Sequence, residues 1–176
     1  MIGIRGLSPI IAVVLLLMIT VVAATLIVSF AIPFVKNNLK ESEECFDVLG
    51  DLEFAETEYN CYYEDPLGID NNLTGFSVRV DNADIIGFSI ALQYKGNSYS
   101  YDIKNETQVA GLKVLLSGTD LVVPKKGETR TYVADGLFTR AEIFPIIKGD
   151  KRCDMADELT LQQCTDAGVI GDLKLN

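Results

Sequence analysis

Between Arg5 and Lys36 no charged residue interrupts the chain, and this stretch restricts what the remainder can be. From Ile10 to Ile32 run 23 residues without proline, glycine or charge. At about 1.5 Å per helical residue such a run covers roughly the 30 Å hydrocarbon core of a bilayer. Fifteen of the 23 are Leu, Ile, Val or Phe. At about 0.3–0.6 kcal/mol each near the bilayer centre, they favour insertion by on the order of 5 kcal/mol. Thr20, Thr25 and Ser29 are small hydroxyls that can bond back to the helix's own carbonyls. Thr20 with Ala24, and Thr25 with Ser29, are four residues apart, a spacing at which small side chains let neighbouring helices approach. The start is marked as well: Ser8 can cap the first turn, and Pro9 suits the N1 position, which needs no donor.

A cleavable secretory signal would carry a core of about 7–15 apolar residues after a basic segment, and this run is far longer. A permanent single-pass anchor fits the same physics. Arg5 and the amino terminus favour the cytoplasm by the positive-inside rule, which puts the rest of the chain outside. Lys36 and Lys40 oppose that orientation but are followed at once by Glu41, Glu43 and Glu44.

All 25 acidic residues and 14 of the 15 basic ones lie after Val35, giving that portion a net charge of −11 against +1 for the first 35 residues. Such a surface repels nucleic acid and anionic lipid. Residues 36–176 are enough for one domain of ordinary size. Its signals have period two: Tyr59, Cys61 and Tyr63 alternate with polar neighbours, as do Phe76, Val78 and Val80. An apolar run from Asp84 to Tyr94, a turn at Lys95-Gly96-Asn97, and Tyr99, Tyr101 and Ile103 follow. Leu121 to Val133 reads as two strands around a Pro/Gly turn, and Thr139 to Ile147 as another. About seven strands without intervening amphipathic helices predict an α+β protein: a long apolar helix followed by an antiparallel β-sandwich, immunoglobulin-like in type. One open sheet against a helix is the competing arrangement. Residues 151–176 read as a stapled loop with a final short strand.

Four cysteines, Cys45, Cys61, Cys153 and Cys164, predict two disulfides in an oxidising compartment. Local pairing, Cys45 with Cys61 and Cys153 with Cys164, is the expected connectivity of the three possible. Each loop of about 15 residues would restrict the unfolded chain by roughly 3 kcal/mol. Asn72-Leu-Thr and Asn105-Glu-Thr match the N-glycosylation pattern. Asp65, Asp70 and Asn71 offer oxygens to calcium but lack the spacing of an EF-hand loop, and read as a solvated turn. The chain has no histidine and no C-x-x-C pair, so neither the usual general base nor a zinc-finger motif is present. The acid pairs Glu43/Glu44 and Asp157/Glu158 sit in polar runs and read as charged surface. No cofactor, metal site or catalytic group is expected.

Arg5-Gly6 followed by Leu7-Ser8-Pro9-Ile10-Ile11 and a long aliphatic helix resembles the class III leader and N-terminal segment of archaeal type IV pilins. The resemblance covers about residues 3–35. Bacterial type IV pilins carry a glutamate at the fifth position after the cut, where this chain has Ile11. The resemblance implies a membrane prepilin peptidase cutting after Gly6, so that Leu7 becomes the N-terminus, with Arg5, Gly6 and Leu7 forming the processing junction. It further implies that the helix anchors the precursor in the membrane and later packs with other copies and other pilins in the core of a cell-surface filament used for adhesion. The expected organisation is a leader over 1–6, helix and polar stalk over 7–44, and an extracellular β-rich domain over 45–176. A single-pass, membrane-anchored binding module is the alternative from a different class.

Overall fold

The computed structural model describes residues 9–66, 72–81, 85–115 and 120–175; of residues 37–43 and 47 it describes the backbone alone. The chain is α+β and divides into two compact units, Met1–Glu43 and Glu44–Asn176. In the first unit the chain is helical from Pro9, the start of α1 (Pro9–Leu49). The helix continues through Pro33, which has no N–H to give the carbonyl of Ser29 one turn earlier.

The second unit begins in the last two turns of α1 and is built from two sheets. The first holds β1 (Leu52–Phe54), β2 (Cys61–Tyr63), β3 (Leu73–Val80), β6 (Leu112–Val114), β7 (Glu128–Asp135) and β11 (Gln162–Gln163). Its order is β11-β2-β3-β7-β6, with β1 on β3. The second holds β4 (Gly87–Tyr94), β5 (Asn97–Lys104), β8 (Arg140–Ile147), β9 (Lys151–Arg152) and β10 (Asp157–Thr160) in the order β10-β8-β4-β5, with β9 on β8. Every pairing is antiparallel except β11 with β2. If β1 and β2 count as one interrupted edge strand, the two orders are those of the immunoglobulin-like sandwich, four strands facing three plus an added edge.

Alternation along the long strands makes the core. Phe76, Val78 and Val80 of β3, with Tyr132 and Ala134 of β7, face Phe88, Ile90 and Leu92 of β4, Ile103 of β5, and Ala141 and Ile143 of β8. Tyr132 ties the layers together: its ring stacks on Phe76 at 5.5 Å and meets Phe88 edge-on at 5.6 Å. Its buried hydroxyl donates to the Val122 carbonyl at 2.7 Å, and burial pushes its pKa far above the ordinary value. The β4–β5 hairpin turns on Lys95 and Gly96, both with positive φ, as a two-residue turn that follows strand twist requires.

Several expectations need correction. Eleven strands are present among the described residues rather than about seven, the additional ones being short. Leu121 makes only an isolated bridge to Thr107 instead of entering a strand. The last stretch ends in a helix, α2 (Ala167–Lys174), not a short strand. Asp166 caps it by accepting from the N–H groups of Gly168 and Val169. Val169 and Leu173 are buried with Cys61 and Val133, so α2 covers part of the outer face of the first sheet.

The interruption between β1 and β2 is also filled. Ala55 donates to the Ser77 carbonyl, and then the Asn60 side chain replaces a strand by accepting the Ser77 N–H at 2.8 Å. Tyr59 is thereby laid over Gly75, where an added Cβ would lie 2.5 Å from the Tyr59 carbonyl oxygen and 2.9 Å from Leu173. Gly75→Ala is therefore expected to destabilise the domain by about 2–3 kcal/mol through overpacking against backbone. The guanidinium midpoint of the full chain measures this, and an unchanged midpoint would mean that the loop yields freely.

Candidate functional site

Among the described residues one helical stretch, Pro9–Lys36, is long and apolar enough to cross a membrane, and none of it is buried within the chain. Its side chains are exposed all round, from Ile10 through Leu16, Val22 and Ile27 to Phe34. A continuous apolar surface of this kind has to be covered by lipid or protein. Arg5, Gly6 and Leu7, and the capping Ser8, lie outside the described residues.

The polar groups of this helix are satisfied from within. Thr20 donates to the Leu17 carbonyl and Thr25 to the Val22 carbonyl, both at 2.9 Å; Ser29 donates to the Thr25 carbonyl at 2.7 Å. Val14, Leu17, Met18, Val21 and Val22 line an apolar depression on one face. At about 100° per residue, Thr25 and Ser29 continue that face, whereas Thr20 and Ala24 lie roughly 100° round the helix. The two small-residue pairs thus belong to different faces.

The cysteines form two disulfides, but not the local ones expected. Cys45 joins Cys153 across 108 residues, and Cys61 joins Cys164 across 103. Cys45 and Cys153 pack with Val48, Ile147 and Ile85, whereas Cys61 and Cys164 belong to the cluster under α2. Placed in separate clusters, Cys45 and Cys61 cannot meet. The second bridge follows from the one parallel pairing: Gln162 lies opposite Cys61, and Cys164 N–H donates to the Tyr62 carbonyl. Parallel neighbours need a long crossover, so residues close in sequence could not have supplied it. Two disulfides in a β-rich domain fit an oxidising compartment.

Both potential glycosylation sites border strands. Asn72 accepts from the Asp65 N–H through its side chain, and Thr74 of the same triplet is fully buried, donating to the Gly136 carbonyl. Asn105 is exposed in the turn after β5, its side-chain oxygen accepting from the Val123 N–H at 2.8 Å. Of the three candidate calcium oxygen donors, Asp70 and Asn71 lie outside the described residues, and no metal-holding cluster of acidic or sulfur side chains occurs among those described. Asp157 is structural: its carboxylate accepts from the N–H groups of Phe54 and Glu158, while Glu158 pairs with Arg140. Comparison with protein-family models, curated proteins and solved structures finds no match to this chain.

Proposed function

We propose that the chain is the precursor of a structural subunit of an extracellular type IV pilus-like filament with a role in surface attachment. The observation that carries the reading is the Pro9–Lys36 helix, apolar and exposed on every face with its hydroxyls satisfied internally, directly after Arg5-Gly6-Leu7-Ser8. Such a helix is stable in lipid as a monomer and equally stable against copies of itself, which is what a subunit moving from membrane to polymer requires. The acidic, twice cross-linked sandwich is then the outward-facing part. The reading assigns no catalysis, cofactor or nucleic-acid binding; its partners are further copies, other pilins, a prepilin peptidase and, for the precursor, the membrane. Asn105, exposed in its turn, is the better placed of the two glycan acceptors.

The test is the N-terminal sequence of protein sheared from the cell surface, where Leu7 is expected as the first residue. Replacing Gly6 by a bulky residue should abolish both the cut and the sheared material. A mature protein still beginning at Met1 in cells with an active prepilin peptidase would instead favour the permanent anchor carrying a binding module.

A further inference from the structure

Along β4 and β5 the inward-facing rows run out of the core and into the open. Leu92 is buried and Tyr94, two residues on, is half-buried; in the paired strand the same row passes from buried Ile103 through half-buried Tyr101 to exposed Tyr99. At this end of the sandwich the rings meet the β7–β8 connection and leave a cleft of about 360 Å³, lined by Tyr94, Tyr99, Tyr101, Asn97, Asp135 and Phe138. That is within the roughly 300–1,000 Å³ of small-ligand sites.

The cleft is held in shape from below. Thr74, fully buried, donates to the Gly136 carbonyl at 2.8 Å and accepts the Phe138 N–H at 3.1 Å, while Gly136 N–H donates to the Asn72 carbonyl at 2.7 Å. Gly136 has φ +128, and a Cβ there would lie 3.1 Å from the Phe138 ring, so this position is restricted to glycine. Phe138, buried, meets the Tyr99 ring edge-on at 5.8 Å.

Above this base the polar groups are unused. Among the described residues the Asp135 carboxylate, the Asn97 amide and the Tyr99 and Tyr101 hydroxyls have no hydrogen-bond or ion-pair partner. Partial burial, followed by the neighbouring Tyr99 and then Asp135, raises the Tyr101 phenol's pKa above its ordinary value. The arrangement combines aromatic faces, an acceptor-only carboxylate, an amide that both donates and accepts, and hydroxyls that do either.

We propose that this cleft binds a neutral pyranose of a surface glycan. A pyranose has a flat patch of C–H groups to lay on a ring and vicinal hydroxyls that donate as a pair to one carboxylate. The half-exposed Tyr99 and Tyr101 supply the first, and Asp135 with Asn97 the second. The carboxylate and the net charge of −11 after Val35 select against uronate and sulfated sugars. The inference goes beyond the filament reading and stands without it, because a monomeric anchored domain would present the same cleft.

Saturation-transfer NMR on the full chain in micelles of a zwitterionic detergent without a sugar headgroup tests it, with methyl glycosides of glucose, galactose and mannose and with glucuronate. Transfer to at least one neutral glycoside is expected, at a dissociation constant on the order of 1 mM, with glucuronate weaker by about tenfold or more. Asp135→Asn and Tyr101→Ala should each weaken the neutral sugar about tenfold. Tyr99→Ala, at a half-exposed ring, serves as the second stacking variant if Tyr101→Ala fails to fold. No transfer to any of the three neutral glycosides overturns the proposal, as does binding unchanged by both the Asp135 and the stacking variant, or glucuronate bound as well as its neutral counterpart.

Discussion

Removing one bridge by the double change Cys61→Ala and Cys164→Ala should lower the stability of the domain by about 3–5 kcal/mol. The loop it closes spans 103 residues, and in the chain-entropy model a loop near 100 residues restricts the unfolded chain by about 4.7 kcal/mol, against roughly 3 for one of 15. The folded state loses as well, because Cys164 stands just before the Asp166 cap of α2, and the bridge holds Val169 and Leu173 against Val133. Denaturant unfolding of the full chain followed by circular dichroism measures the effect. A loss below about 1 kcal/mol would mean that the β11–β2 pairing holds this edge unaided. Peptide mapping without reduction should recover Cys45 with Cys153 and Cys61 with Cys164.

The second large effect is expected in assembly. On the filament reading, Ala24→Leu and Ser29→Leu keep the helix hydrophobic, so the membrane fraction should retain precursor at the unaltered level while sheared filament falls to background. The internal hydrogen bonds sharpen the expectation. Because Thr25 and Ser29 already donate to carbonyls of their own helix, their contribution to packing is small volume rather than bonds across an interface. Thr25→Ala should therefore assemble normally where Ser29→Leu does not. Ala24 and Ser29 lie on different faces, so the two leucine variants report on different neighbours. Normal filament from both would take these faces out of the packing interface. Loss of precursor from the membrane would trace the defect to folding instead.

What could be read in advance was what local alternation determines. The rows Phe76-Val78-Val80 and Tyr99-Tyr101-Ile103 disclose β3 and β5, and the Lys95-Gly96 turn discloses the β4–β5 hairpin, because one buried face imposes period two wherever the strand runs. The helix α2 was missed because Gly168 and Gly171 each weigh against helix by about 1 kcal/mol, and burial of Val169 and Leu173 outweighs them only in the folded domain. Asp166 was the available signal, an N-cap residue before a short apolar pattern. The three-residue β6 borrows its regularity from β7, and the disulfide pairing depends on a parallel neighbour 103 residues away. The cleft had half a signature: two tyrosines at strand spacing were visible, but Asp135 and Phe138 reach them only through the sandwich.

The pairing of the cysteines also decides how this domain would bear tension. A pull along α1 reaches Cys45 and divides there. One route follows the backbone into β1 and the first sheet; the other crosses sulfur into the link between β9 and β10, both bonded to β8 of the second sheet. β1 is therefore not loaded alone, since the same displacement also pulls on the link between β9 and β10 and so on their pairings with β8. Further along, Cys61–Cys164 stitches the same edge a second time. A domain joined this way would share a pull between its two sheets, as a riveted lap joint shares load between both plates.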